Sequence, residues 1–164
     1  MKKALIGLTI ALLAIGAAGC NKDKKESKTA AAAPAAESIV QIEANYQRDD
    51  PAAADPNTAL TCKYLLVSGS EIRQAEIKTS GKCYFDSLKS SAAGAGSLAA
   101  DKAAAILSAI NSDGSLPASA RDKRGCTAIN IRTSTKRVVG VQDCPDGSGV
   151  GAVVARSVAS ALGL

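Results

Sequence analysis

The chain has no histidine and no tryptophan, and it holds a single phenylalanine and three tyrosines. Without histidine, Ser-His-Asp and Cys-His catalysis are excluded, as are the usual histidine-containing zinc sites. No Cys-x-x-Cys occurs, which argues against a redox centre of the thioredoxin type. Neither Ser-x-x-Lys nor Gly-x-Ser-x-Gly is present, which removes the common penicillin-binding and hydrolase signatures. Four aromatic residues offer few platforms for stacking bases, so nucleic-acid binding is not expected. Glycoside hydrolysis has no positive support either, for want of an aromatic sugar platform and a distinctive pair of carboxylates. Long apolar runs are missing as well. The longest, Ala4 to Ile15, falls short of the ~20 residues a spanning helix needs.

What is present begins at the N-terminus. Met1-Lys2-Lys3 is a short positive segment, Ala4 to Ile15 is uncharged and apolar, and Gly16 to Gly19 are all small. This is the pattern of a secretory signal. The next residue is Cys20, and Ala17-Ala18-Gly19-Cys20 resembles the lipobox of bacterial lipoproteins, with Ala17 where that family more often has Leu. The resemblance covers residues 1–20 only. It implies a signal peptide over 1–19, a diacylglyceryl thioether on Cys20, and N-acylation of that residue after cleavage. One acyl chain holds a protein only marginally, whereas two or three hold it permanently. The partner so implied is the membrane, reached through the lipid on Cys20. In the same family the residue after the cysteine influences sorting, and Asn21 leans towards an outer-membrane location facing the periplasm.

Cysteine parity agrees with this reading. Five cysteines would leave an odd thiol in an oxidising compartment, but assigning Cys20 to lipid leaves Cys62, Cys83, Cys126 and Cys144. Charge needs the same trimming. The precursor is +5, and losing Lys2 and Lys3 leaves +3. Residues 21–38 carry four Lys against Asp23, Glu26 and Glu37, so 39–164 is only +2. The lipidated Cys20 and the Lys/Ala/Ser-rich stretch to Ser38 read as a disordered tether, with a root-mean-square reach of ~20–25 Å.

Residues 39–164 are expected to form one α+β domain, ordered β-β-β-α-β-β-α, with about five antiparallel strands, two helices and two disulfides. Ile39 to Gln47 alternates, with Val40, Ile42, Ala44 and Tyr46 on one face. Ala59 to Val67 puts Leu60, Cys62, Tyr64 and Leu66 together, and Gln74 to Phe85 does the same for Ala75, Ile77, Cys83 and Phe85. Setting Cys62 opposite Cys83 makes those two apolar faces coincide and favours that bridge. Leu98 to Ile110 has helical spacing and ends at Asn111-Ser112-Asp113-Gly114. Folding Cys126 to Cys144 about Thr135 sets Ile129 against Val141 and Ile131 against Val139, and brings the two cysteines together. Crossed pairs such as Cys62–Cys144 remain the alternative. Gly149 to Leu162 carries Val150, Val154, Val158 and Leu162 along one helical stripe.

The candidate sites are few. Gly147, Gly149 and Gly151 follow a strand and open a helix, so their amides could hold an anion. Separately, the cluster Arg121, Lys123 and Arg124, with Lys136 and Arg137, could meet phosphate or an acidic partner. The bland reading is a turn that needs glycine and a solvated basic surface. Asp143 and Asp146 lack EF-hand spacing and read as turn carboxylates, so no metal is expected. Gly94-Ala-Gly96 lacks a buried strand before it, and no nucleotide or other cofactor is expected. The functional expectation is a lipid-anchored envelope protein that binds or scaffolds, with an envelope protein as partner, and is not an enzyme. The alternative is an envelope hydrolase using a carboxylate or Ser/Lys site of unfamiliar form.

Overall fold

The computed structural model describes residues 36–164 apart from Pro51. The signal peptide, Cys20 and nearly all of the expected tether lie outside the described residues. Six strands form one antiparallel sheet: β1 (Ile39–Asp49), β2 (Leu60–Ser68), β3 (Glu71–Thr79), β4 (Ala93–Ser97), β5 (Thr127–Thr133) and β6 (Val138–Asp143). Their spatial order is β4-β3-β2-β1-β5-β6, so β1 and β2 are central. Three helices accompany them among the described residues: α1 (Phe85–Ser91), α2 (Ala100–Asn111) and α3 (Ala152–Leu162). The α+β class is as expected, but the count rises from five strands and two helices to six and three.

Alternation along β1 buries Ile42 and Ala44 on one face, where they meet Val67 and Leu65 of β2 and Ile131 and Ile129 of β5. Val139 and Val141 extend this apolar face across β6. Helices α2 and α3 cover it with Ile106, Ile110, Val154, Val158 and Leu162. Ala155 and Ala159 are buried on α3, and small side chains there let the helix sit close to the sheet. Gly163 ends α3 in the left-handed conformation. Its N–H bonds Ser160 and that of Leu164 bonds Ala159, a Schellman closure that satisfies the last carbonyls.

Val40 departs from the expected face and stands exposed. Tyr46 is half-buried, and its ring lies 5.8 Å from the Arg48 guanidinium and 5.9 Å from Lys63.

The β5–β6 hairpin has the expected register, Ile129 opposite Val141 and Ile131 opposite Val139, and Cys126 is bonded to Cys144. Cys62 is bonded to Cys83, the expected pair, but by a different route. The β2–β3 hairpin closes at Gly69-Ser70, with Gly69 at φ +60°, so Cys62 stands opposite Ile77 rather than Cys83. The expected strand Gln74 to Phe85 is therefore corrected. β3 stops at Thr79, the chain bends through Ser80 and Gly81, and Phe85 begins α1. The alternation misled because Cys83 and Phe85 continue the parity of Ala75 and Ile77 while reaching the same face from a loop and a helix. The bridge pins the start of α1 onto the second face of the sheet. There Leu88 and Ala92 pack with Leu60, Cys62 and Tyr64.

β4 was also unexpected. Its sequence, Ala-Gly-Ala-Gly-Ser, is exposed at every position and carries no apolar pattern. It is extended because α1 ends at Ala92 with ψ 126°, laying the chain along β3, while Arg73 clamps the Ala92 carbonyl at 2.6 Å. It pairs only with Glu71–Gln74 of β3.

The connection 112–125 wraps the outer edge of β6. Pro117 accepts from the Gly140 N–H, and the side chain of Gln142 reaches the Arg121 carbonyl. A Cβ on Gly140 would run into the backbone of Ser119 and Ala120, so the close crossing itself requires glycine.

Candidate functional site

Placing α1 over β2 and β3 creates a groove between the helix and the outer edge of β3. It encloses about 540 Å³ and is lined chiefly by Ile77, Thr79, Lys82, Tyr84, Ser87 and Leu88. Ile77 is 49% exposed and Tyr84 71% exposed, which is unusual for a residue of either kind beside an apolar floor. Along this groove the edge of β3 is open, because β4 stops at Gln74.

The ladder phase fixes which backbone groups are free. Gly69 N–H bonds the Val40 carbonyl, so odd-numbered residues of β2 serve β1 and even-numbered ones serve β3. Their β3 partners are Glu71, Arg73, Ala75, Ile77 and Thr79. The N–H and C=O groups of Glu76 and Lys78 consequently point outward, beyond the reach of β4. An extended segment laid there would gain backbone hydrogen bonds and an apolar floor together.

Next to the groove lies a second pocket of about 290 Å³ containing Glu43, Asn45, Tyr64, Asp86, Lys89 and Asp122. Tyr64 hydroxyl donates to Glu43 Oε1 at 3.2 Å, and Lys89 Nζ pairs with the same oxygen at 3.3 Å. Burial, followed by the charge and hydrogen bond of Glu43, pushes the Tyr64 hydroxyl up to about 12. Tyr64 thus keeps its proton at neutral pH, and the charge of Glu43 is already engaged by Lys89. Asn45 Nδ2 donates to Asp122 at 2.9 Å, while its Oδ1 is buried without a partner. Chemically this pocket is an ion-paired lining beside the groove. Among the described residues no group of three His, Cys, Asp or Glu is placed to hold a metal ion.

The candidate anion residues are partly brought together. Lys123 Nζ reaches Ser148 Oγ at 3.2 Å, beside Gly147 and Gly149. Two of the loop's amides have internal partners: Gly147 N–H bonds the Cys144 carbonyl and Ser148 N–H bonds Asp146. The hydroxyl and amide of Ser148 hold the Asp146 carboxyl below its ordinary value, so a carboxylate occupies the turn. Gly149 is pressed against the backbone of Gln142, and Gly151, left-handed at φ 61°, lies against Leu116. Arg124 pairs with Asp49 at 3.6 Å on the surface, and Arg121 contributes its carbonyl to Gln142.

The groove escaped sequence reasoning because it depends on α1 and on where β4 stops. Ser80-Gly81, ahead of Cys83, was the local hint that the strand ends before the cysteine. Compared with known proteins, the chain matches no family model, no curated protein and no solved structure.

Proposed function

We propose that this chain is a lipid-anchored protein of the bacterial cell envelope, held by Cys20, whose folded part is a periplasm-facing binding or scaffolding module. The lipobox-like segment and the even set of remaining cysteines support the address. Among the described residues no helix is long and apolar enough to cross a membrane. The observation that carries the binding reading is the groove of Ile77, Tyr84 and Leu88 beside the unpaired edge of β3. The carboxylates of the neighbouring pocket give a hydrolase reading less support, because Glu43 is held by Lys89 and by a tyrosine that keeps its proton.

The test is in-cell crosslinking from a photoreactive residue at Tyr84 of the full-length protein, followed by mass spectrometry. A reproducible protein adduct at that position is expected, and one absent when the probe sits at Ser115. If probes at both positions return the same background, the groove is not an interaction surface.

A further inference from the structure

We infer that the open edge of β3 pairs with the same edge of a second copy of this chain, joining two sheets about a twofold axis through Ile77. The inference rests on reading the groove as an interaction surface and names its occupant.

Three observations select a second copy. First, the open edge is only Ala75–Thr79, since β4 covers Glu71–Gln74 and the chain bends away after Thr79. Within it only Glu76 and Lys78 turn their backbone groups outward. Two antiparallel copies can use all of these groups in one register alone, with Glu76 of each opposite Lys78 of the other. A shift that sets Glu76 against Glu76 sends Lys78 to Gln74, which β4 already occupies. The opposite shift sets Lys78 against Lys78 and sends Glu76 past the end of the strand. Second, the one register that closes the hydrogen bonds is also the one that pairs opposite charges, twice, by symmetry. Charged residues on an edge normally discourage pairing. A glutamate and a lysine two residues apart discourage strangers and match their own image. Third, this register sets Ile77 directly across from Ile77 of the second copy at a non-hydrogen-bonded position, where Cα atoms approach ~4.5 Å. Both side chains then lie on the groove face. That gives a partner to an isoleucine which the monomer leaves 49% exposed beside Leu88 and Tyr84.

A twofold contact of this kind closes on itself and consumes the edge, so it yields dimers and not filaments. The within-chain pair of Glu76 with Lys63, at 3.3 Å, remains compatible, because Glu76 then lies between two cations.

The test uses full-length protein in its own membranes with Ile77→Cys on a Cys62→Ala, Cys83→Ala background, because Cys62 stands opposite position 77 and its bridge would exchange with the new thiol. Mild oxidation is expected to give a disulfide-linked dimer joined at position 77, while Ser115→Cys gives none. Adding Glu76→Lys, or separately Lys78→Glu, sets like charges opposite each other and is expected to lower the dimer about tenfold. Adding both restores it, although the Lys63 contact stays lost, which a merely structural role for Glu76 does not predict. Failure of the double swap to restore the dimer overturns the inference. A disulfide from position 77 to a different protein overturns it too, yet leaves the binding reading standing. With Ile77 intact, the Tyr84 probe serves as a second measurement, and a self-adduct is its expected product.

Discussion

Tyr64 is the largest side chain that the fold buries completely, and its hydroxyl must be satisfied inside. Glu43 satisfies it from the adjacent strand, and that choice has a signature at high pH. Because burial and the Glu43 charge raise the hydroxyl from 10.0 to about 12, the folded chain keeps a proton that the unfolded chain loses. The stabilisation is fully present below pH 10 and disappears as pH rises through about 12. At ~1.4 kcal/mol per unit, and discounted for solvent screening of a hydroxyl that lines an open pocket, the effect is about 1–2 kcal/mol. Tyr64→Phe is expected to cost about 1–2 kcal/mol at neutral pH, from the lost bond to a charged acceptor. It should also flatten the alkaline loss seen in urea titrations of the parent. An alkaline slope unchanged by the substitution would show that Tyr64 is not the group responsible.

Among the elements, α1 depends most on its neighbours. Seven residues are too few for a helix to persist alone, so its docking relies on Leu88, Phe85 and the Cys62–Cys83 bridge. Replacing both cysteines by alanine is expected to remove about 3 kcal/mol of loop-closure stabilisation. Hydrogen exchange should then accelerate selectively over 82–92, with β5 and β6 still protected. Removing Cys126 and Cys144 costs a similar amount but joins strands already paired, so α1 and the groove should stay protected. Equal exchange over 82–92 in the two variants would refute this division. The same contrast explains what could be read from the chain. In β5–β6 the spacing of Ile129, Ile131, Val139 and Val141 and that of the cysteines agree on one hairpin centre, so the register was legible. At Cys62–Cys83 the pair was legible but not its geometry. Spacing says that two residues can meet, not whether a bend and a helix lie between them. Ala93–Ser97 left no trace, because an exposed edge strand of alanine and glycine needs no apolar alternation. The groove inherited both gaps, being bounded by α1 on one side and by the end of β4 on the other.

At the scale of the whole molecule, the proposed anchor and the proposed dimer are coupled. Chains confined to a membrane meet at a higher effective concentration than the same number free in the periplasm. A contact of one short strand from each copy is small by the standard of stable interfaces and should be sensitive to that confinement. Cysteine counting tests the anchor directly. Four of the five cysteines are paired, so one thiol remains if Cys20 is unmodified, and none if it carries a thioether. Denatured, unreduced parent protein is therefore expected to show no reactive thiol and to incorporate labelled acyl chains. Cys20→Ala should abolish the label, release the protein from membranes and lower the oxidative dimer formed through Ile77→Cys. One free thiol in the parent, or acyl labelling that survives Cys20→Ala, removes the anchor. If the dimer instead forms undiminished after release, the contact between sheets is strong enough to hold without the membrane, and the coupling fails while the pairing stands.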